Sequence, residues 1–123
     1  MTAIIPYLNK KFQDTLTAVS LSFGNDIDLT TLTEYILIEY DGAESDSGVT
    51  AQEQTLKAHI TAYSRGTNAY SIYTLTKRIT DLLKQKLSLS NGDVVRITAL
   101  NTVFLDLEIG KKSVTTARIN YWR

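Results

Sequence analysis

The chain has no cysteine among its 123 residues, and it has only one proline, one methionine and one tryptophan. The lack of cysteine excludes disulfides, thiolate catalysis and cysteine-ligated zinc or iron-sulfur sites. No run approaches the ~18 consecutive apolar residues of a membrane-spanning helix. The first residues also lack the basic and apolar segments of a signal peptide. We therefore expect a soluble intracellular protein.

Common catalytic and metal-binding motifs are also missing. No Walker loop, G-x-G-x-x-G or G-x-S-x-G occurs. The acidic residues that follow Asp41 do not have the EF-hand order, because Asp46 rather than glycine is sixth and Gln52 is twelfth. The single histidine, His59, has no indicated orienting group or nucleophile, so we interpret it as an exposed structural residue. We expect no enzyme activity, no cofactor and no metal.

The segment from Thr55 to Leu87 combines two hydrophobic periods. Its first part alternates apolar and polar residues, which predicts a half-buried strand; the apolar positions are Leu56, Ala58, Ile60 and Ala62. Its second part has apolar residues at spacings of three and four, which predicts an amphipathic helix of about five turns; these residues are Ile72, Leu75, Ile79, Leu82, Leu83 and Leu87. We expect the helix to lie on the apolar face of the strand.

The remaining elements complete an α-β-β-β-α-β-β order. Ile5 to Thr17 predicts a short helix, Ala18 to Phe23 a short strand, and Tyr35 to Tyr40 (YILIEY) a strand covered on both faces. A C-terminal hairpin is predicted from Val94 to Ile109, with a break expected near residues 100–102, and from Ser113 to Trp122. The predicted fold class is α+β: a single, mostly antiparallel sheet with the long helix on one face.

The segment at about 41–54 (DGAESDSGVTAQEQ) has four acidic residues, two glycines and no hydrophobic period. Such long aperiodic stretches inside a compact domain are usually functional or mobile. We expect a flexible acidic hairpin arm within a single domain of residues 1–123.

Charge is distributed unevenly although the net charge is zero. Residues 1–53 have two basic and nine acidic residues, a net charge of −7, whereas residues 54–123 have a net charge of +7. Either packing interleaves the two halves, or the surface has unlike patches suited to head-to-tail contact between copies. No net basic face for nucleic acid is indicated.

The pattern of the chain resembles that of the tail terminator, or tail completion, proteins of long-tailed bacteriophages. The resemblance rests on the N-terminal helix, the strand YILIEY, the acidic loop, the strand LKAHITAYS, the helix that begins with AY and the ending ARINYWR. It covers nearly the whole chain and has no single diagnostic motif. Many such proteins have a proline just before the YILIEY-type strand, where this chain has Thr33 and Glu34.

The resemblance implies a structural virion protein made in the host cytoplasm and located at the head-proximal end of the tail. Such a protein would form a hexameric ring on the tail tube, stop tube polymerisation and join the head. Its partners would be copies of itself, the tail-tube protein and a head connector protein, with no membrane and no specific nucleic acid. We expect acidic arm residues to meet basic residues of the next copy, and a tyrosine suited to interfaces to lie nearby; the candidates are Asp41, Glu44, Asp46, Glu53, Arg65, Tyr70, Lys77 and Arg78.

The sequence leaves two alternative functions open. A head-side connector of the same virion, an adaptor or stopper, would have a similar size and composition. A small ligand-binding or enzymatic α+β domain would need convergent polar groups in a deep pocket, and the sequence indicates none.

Overall fold

The computed structural model describes residues 4–17, 19–23, 34–41, 53–65, 69–84, 86–89, 94–107 and 110–122. Two helices and six strands follow one another along these ranges: α1 (Ile4–Thr15), β1 (Ser20–Ser22), β2 (Glu34–Asp41), β3 (Glu53–Ser64), α2 (Ala69–Leu83), β4 (Leu87–Ser88), β5 (Val94–Asp106) and β6 (Lys111–Trp122).

The six strands form one sheet in the order β1-β2-β3-β6-β5-β4, which curls into a half-barrel. β1 pairs with β2 in parallel, and the other neighbouring strands pair in antiparallel fashion. The longest ladder joins β3 to β6, from Glu53 opposite Trp122 to Ser64 opposite Lys111. The centre of the sheet is therefore made by strands that are far apart in the sequence.

The predicted α+β class, with a long helix packed on one face of a sheet, is wrong. The described part of the fold is mostly β, with 57% of the described residues in strands and two short helices. α2 has 15 residues and ends at Leu83, whereas the predicted helix continued to Leu87. Leu87 lies in β4, opposite Val95 of β5. It is buried in the same core as Leu83, so its helical spacing from Leu83 was a misleading signal.

Two further strand predictions need correction. β2 is not covered on both faces, because Leu37 is only half-buried and Glu39 is exposed, whereas Ile36 and Ile38 are buried. β5 is continuous through residues 100–102, and its irregularity lies between Ile97 and Ala99. Only Asp41, Glu53 and Gln54 of the predicted acidic arm are described; they belong to β2 and β3, and residues 42–52 lie outside the described part.

The core lies on the face of the sheet that the helices contact and confirms the predicted apolar faces. The four alternating residues of β3 are fully buried, and Ile72, Leu75, Ile79 and Leu83 of α2 join them. α1 adds Leu8 and Phe12, and Leu16, just after the helix, joins the same core. The opposite face of the sheet has no covering helix among the described elements. On that face polar and charged side chains follow one another across the strands: Glu39, Asp41, Lys57, His59, Thr116 and Arg118.

The turn between β5 and β6 packs closely on the end of β3. Gly110 has a φ of 93°, in the left-handed region that favours glycine. A Cβ at this position would lie 2.5 Å from the carbonyl oxygen of Ser64 and 2.9 Å from the Cα of Arg65. Glycine therefore allows both the turn and the close contact, and it holds Arg65 beside the hairpin.

Candidate functional site

The candidate interface residues predicted from the sequence are spread over the structure. Asp41 is exposed at the end of β2, and Arg65 is exposed just after β3. Lys77 and Arg78 lie next to each other in α2. Glu44 and Asp46 lie outside the described residues. Glu53 is in β3 and Tyr70 is in α2, but the structure does not describe their side chains.

Lys77 and Arg78 both have partners within the chain. The Lys77 ammonium donates to Oδ2 of Asp81 at 2.8 Å, one helical turn away. Lys84 lies 3.3 Å from the other carboxylate oxygen of Asp81. The hydrogen bond from Lys77 is the main cause that lowers the pKa of Asp81, with Lys84 adding to it. Lys77 is thus an exposed cation whose charge is partly offset by a neighbour on the same helix.

Arg78 connects α2 to the segment that follows α1. Its Nη2 donates to the backbone carbonyl oxygen of Thr17 at 2.6 Å. The same side chain lines a shallow groove of about 230 Å³ with Glu34, Ser71, Thr74 and Leu75. Glu34, from the acidic half of the sequence, and Arg78, from the basic half, line the same groove, so packing interleaves the two charged halves here.

Asp41 lies beside the single histidine on the uncovered face of the sheet. Its Oδ2 is 3.9 Å from Nε2 of His59, and its side chain is 74% exposed. Nδ1 of His59 is 3.4 Å from the Thr116 hydroxyl. At 3.9 Å the carboxylate lies beyond hydrogen-bond distance of the ring, and His59 is half-buried rather than exposed as the sequence predicted.

The acidic and basic candidates lie at opposite ends of the same two strands. Glu34 pairs with Ser64, and Asp41 pairs with Lys57. Seven residues separate Glu34 from Asp41 along β2, which corresponds to about 23 Å at ~3.3 Å per residue. Arg65 follows Ser64, and Arg78 lines the groove beside Glu34. Asp41 therefore cannot form a direct ion pair with Arg65 or Arg78 of its own chain.

The most exposed apolar surface was not predicted from the sequence. It lies mainly on β5, and we call it the β5 apolar strip; its residues are Leu100, Val103, Phe104 and Leu105, which are 38–47% exposed. Tyr73 of α2 is 55% exposed and contacts Phe104 edge to face, with ring centroids 4.9 Å apart. Successive side chains of a strand point to opposite faces, so Leu100 and Phe104 lie on the face that α2 contacts, and Val103 and Leu105 lie on the other face. Exposed apolar side chains on both faces of one strand often mark an interaction site.

A groove separates α2 from β5. It has a volume of about 250 Å³ and is lined by Tyr73, Thr76, Lys77, Thr80, Thr102 and Phe104. The run of three apolar residues at 103–105 was the available sequence signal, because a strand with one buried face would alternate there.

The described residues contain no group of three or more potential metal ligands from histidine, cysteine, aspartate and glutamate. Within the same ranges, no helix is long and apolar enough to span a membrane. Neither protein-family models nor curated proteins give a match to the chain. The function must therefore be argued from the surface features and from the resemblance of the sequence pattern.

Proposed function

We propose that this chain is a structural virion protein of a long-tailed bacteriophage. Copies of it form a ring, a hexamer in the tail terminator family, that caps the tail tube, ends tube polymerisation and presents the surface to which the head attaches. The partners are the tail-tube protein and a head connector protein, and the chain has no enzymatic role. The proposal starts from the resemblance of the sequence pattern to tail terminator proteins.

One structural observation supports a head-to-tail contact between copies. Exposed Asp41 lies at one end of the β2–β3 pair, and Arg65 and the groove with Arg78 lie at the other, about 23 Å away. Lys57 lies opposite Asp41, and Glu34 lines the groove with Arg78, so each end has its own neighbour of opposite charge. Asp41 is too far from Arg65 and Arg78 to pair with them within one copy, but it can pair with them between neighbouring copies. A repeated contact between two different surfaces closes into a ring when the rotation between neighbouring copies is a full turn divided by a whole number.

The first experiment measures assembly of the purified protein. Because ion pairs at an exposed interface weaken as salt screens them, sedimentation should show a ring at low salt and smaller species as the salt concentration rises. Asp41→Lys or Arg65→Glu should each lower the ring fraction at low salt, and the double charge reversal should restore it. Asp14→Lys, which changes an exposed carboxylate on α1, is the matched control and should leave the ring intact.

The second experiment measures the cap itself. Tail-tube protein is polymerised with and without the purified chain, and tube lengths are read from negative-stain images. The proposal expects shorter tubes with a distinct cap at one end, and expects capped tubes to bind tail-less heads. Binding to heads but not to tubes would instead identify a head-side connector. A monomer at both salt concentrations, without effect on tube length, would reject the proposed function.

A further inference from the structure

Among the described residues, β5 has one edge that is paired along most of its length and one edge that is largely unpaired. Its ladder with β6 extends from Arg96 opposite Asn120 to Asp106 opposite Lys111. On the other edge, β4 pairs only with Val94 and Val95. From Arg96 to Asp106, the outer edge of β5 therefore has no strand partner among the described residues.

This open edge lacks the usual protection against strand pairing. Edge strands are normally short, or they contain charges, proline or bulges that prevent another strand from adding. Residues 97–105 of β5 read ITALNTVFL, with no charge and no proline. The single irregularity, between Ile97 and Ala99, lies near one end. The apolar strip follows the unprotected part, so an added strand would cover both the backbone edge and exposed apolar side chains.

The two charged residues of β5 indicate what that added strand is. Arg96 and Asp106 lie near opposite ends of the strand, and the Asp106 side chain is 84% exposed. When two copies of β5 pair in parallel, like charges meet. When they pair antiparallel about Asn101, the Arg96 end of each strand lies beside the Asp106 end of the other, and opposite charges stabilise such cross-strand neighbours.

We propose that β5 is a self-pairing edge, where β5 of a second copy adds antiparallel about a two-fold axis near Asn101. Lys111 already donates to one carboxylate oxygen of Asp106, at 2.7 Å, and Arg96 of the other copy approaches the same carboxylate. Leu100 then lies near Thr102 of the second copy, and Val103 near Ala99. Phe104 and Tyr73 border the covered edge on the side of α2.

This contact goes beyond the proposed function and does not depend on it. A ring is built from a contact between two different surfaces, whereas the β5 contact uses the same surface of both copies. Asp41 is separated from β5 by β3 and β6 in the sheet. The two contacts can therefore occur together, and each can fail without the other.

Because the chain has no cysteine, one engineered cysteine gives a clean test. In the proposed register, the Cα atoms of the two Asn101 residues lie about 4.5–5.5 Å apart, which suits a disulfide. Asn101→Cys should form a disulfide-linked dimer on mild oxidation, visible on a non-reducing gel. Gln13→Cys, on the exposed surface of α1, is the matched control and should stay largely monomeric.

Two valines of β5 provide a second pair of matched variants. Val103 is 47% exposed beside the open edge, and Val94 is 50% exposed at the end paired with β4. In the Asn101→Cys background, Val103→Lys should weaken association about tenfold, since an apolar side chain loses its covered position. Val94→Lys should leave the dimer yield unchanged. Circular dichroism of each variant confirms that it is folded.

Exchanging the charges of Arg96 and Asp106 tests whether the two ends of β5 meet in the dimer. Asp106→Lys in the same background should lower the dimer yield, and adding Arg96→Glu should restore it. Loss of the contact between Asp106 and Lys111 alone would not explain such a restoration.

A folded Asn101→Cys protein that crosslinks no more than Gln13→Cys would overturn the self-pairing edge. Rings detected by sedimentation without this crosslink would leave the proposed function standing, and a crosslinked dimer without rings would reject only the ring.

Discussion

The hydroxyl oxygens of Thr76 and Ser113 lie 2.7 Å apart in the buried contact between α2 and β6. The Thr76 hydroxyl also donates to the carbonyl oxygen of Ile72, at 2.7 Å. A hydroxyl has one proton to donate, so the Ser113 hydroxyl must be the donor to Thr76. Ser113 is therefore only a donor in this pair, whereas Thr76 both accepts and donates. Substitutions at the two positions should for this reason cost different amounts of stability.

Thr76→Val should destabilise the protein more than Ser113→Ala does. Thr76→Val leaves the buried Ser113 donor without an acceptor, which costs about 1–3 kcal/mol in the free energy of unfolding. Ser113→Ala leaves the bond from Thr76 to Ile72 intact and should cost about 0.5–1.5 kcal/mol. The double variant should cost no more than Thr76→Val alone. Urea unfolding curves measure all three, and equal losses for the two single variants would contradict the assigned direction.

Ile79→Ala should lower the free energy of unfolding by about 2–5 kcal/mol, because truncating a buried aliphatic side chain leaves a cavity. Ile79 is fully buried on the face of α2 that contacts the sheet. Lys84→Ala, at an exposed position just past the helix, should change stability by less than about 0.5 kcal/mol. The shift in denaturant midpoint is the measurement, and an unshifted midpoint for Ile79→Ala would mean that this face of α2 is not part of the core.

Gly110→Ala should destabilise the hairpin between β5 and β6. The positive φ is unfavourable for alanine, and the added Cβ would clash with the carbonyl oxygen of Ser64, for a combined cost of about 1–3 kcal/mol or more. Leu107→Ala, in the same turn but exposed, should cost less. Thermal midpoints of the two variants compare them directly. A Gly110→Ala protein as stable as the parent would show that the turn relaxes without loss.

Tyr40→Phe should change the dependence of stability on alkaline pH. The Tyr40 hydroxyl donates to Oδ1 of Asn9 at 2.7 Å, and burial raises the pKa of this phenol. In the unfolded chain the phenol ionises near its usual pKa of about 10. The folded state then holds the proton while the unfolded state releases it, so the free energy of unfolding falls as pH rises above ~10.

Above that pH, one such group should lower the free energy of unfolding by up to about 1.4 kcal/mol per pH unit. Tyr40→Phe should lack the part of this loss that comes from Tyr40. Burial and Tyr63 also raise the pKa of Tyr35, so part of the alkaline loss should persist in the variant. Asn9→Ala, which keeps the phenol, should retain the steeper dependence. Urea midpoints measured between pH 8 and 12 provide the comparison, and parallel curves for the parent and Tyr40→Phe would contradict the prediction.

The buried residues of β3 and α2 could be predicted because each segment buries one face. A strand with one buried face has apolar residues at every second position, and a helix has them at spacings of three and four. The end of α2 could not be predicted in this way. Leu83 and Leu87 are both buried, and a spacing of four suits one helix face as well as a helix followed by a strand. Pairing of Leu87 with Val95 decided between them, and that partner is distant in the sequence.

The candidate site, too, could be predicted only in part from the sequence. Asp41, Arg65 and Arg78 were found because charge is visible in the sequence, but their placement at opposite ends of the β2–β3 pair depends on the register of those strands. The apolar strip of β5 was missed, since an exposed valine or phenylalanine looks the same in a sequence as a buried one.

By itself the sequence determined which residues can share a face, the absence of thiol chemistry and the surplus of opposite charge in its two halves, because these depend on residue type and local spacing. Tertiary structure alone decided that the sheet dominates and curls, that α2 is short, and that β5 has an open apolar edge. Each of these depends on which strands become neighbours, and strand pairing is a long-range choice that local periodicity does not encode.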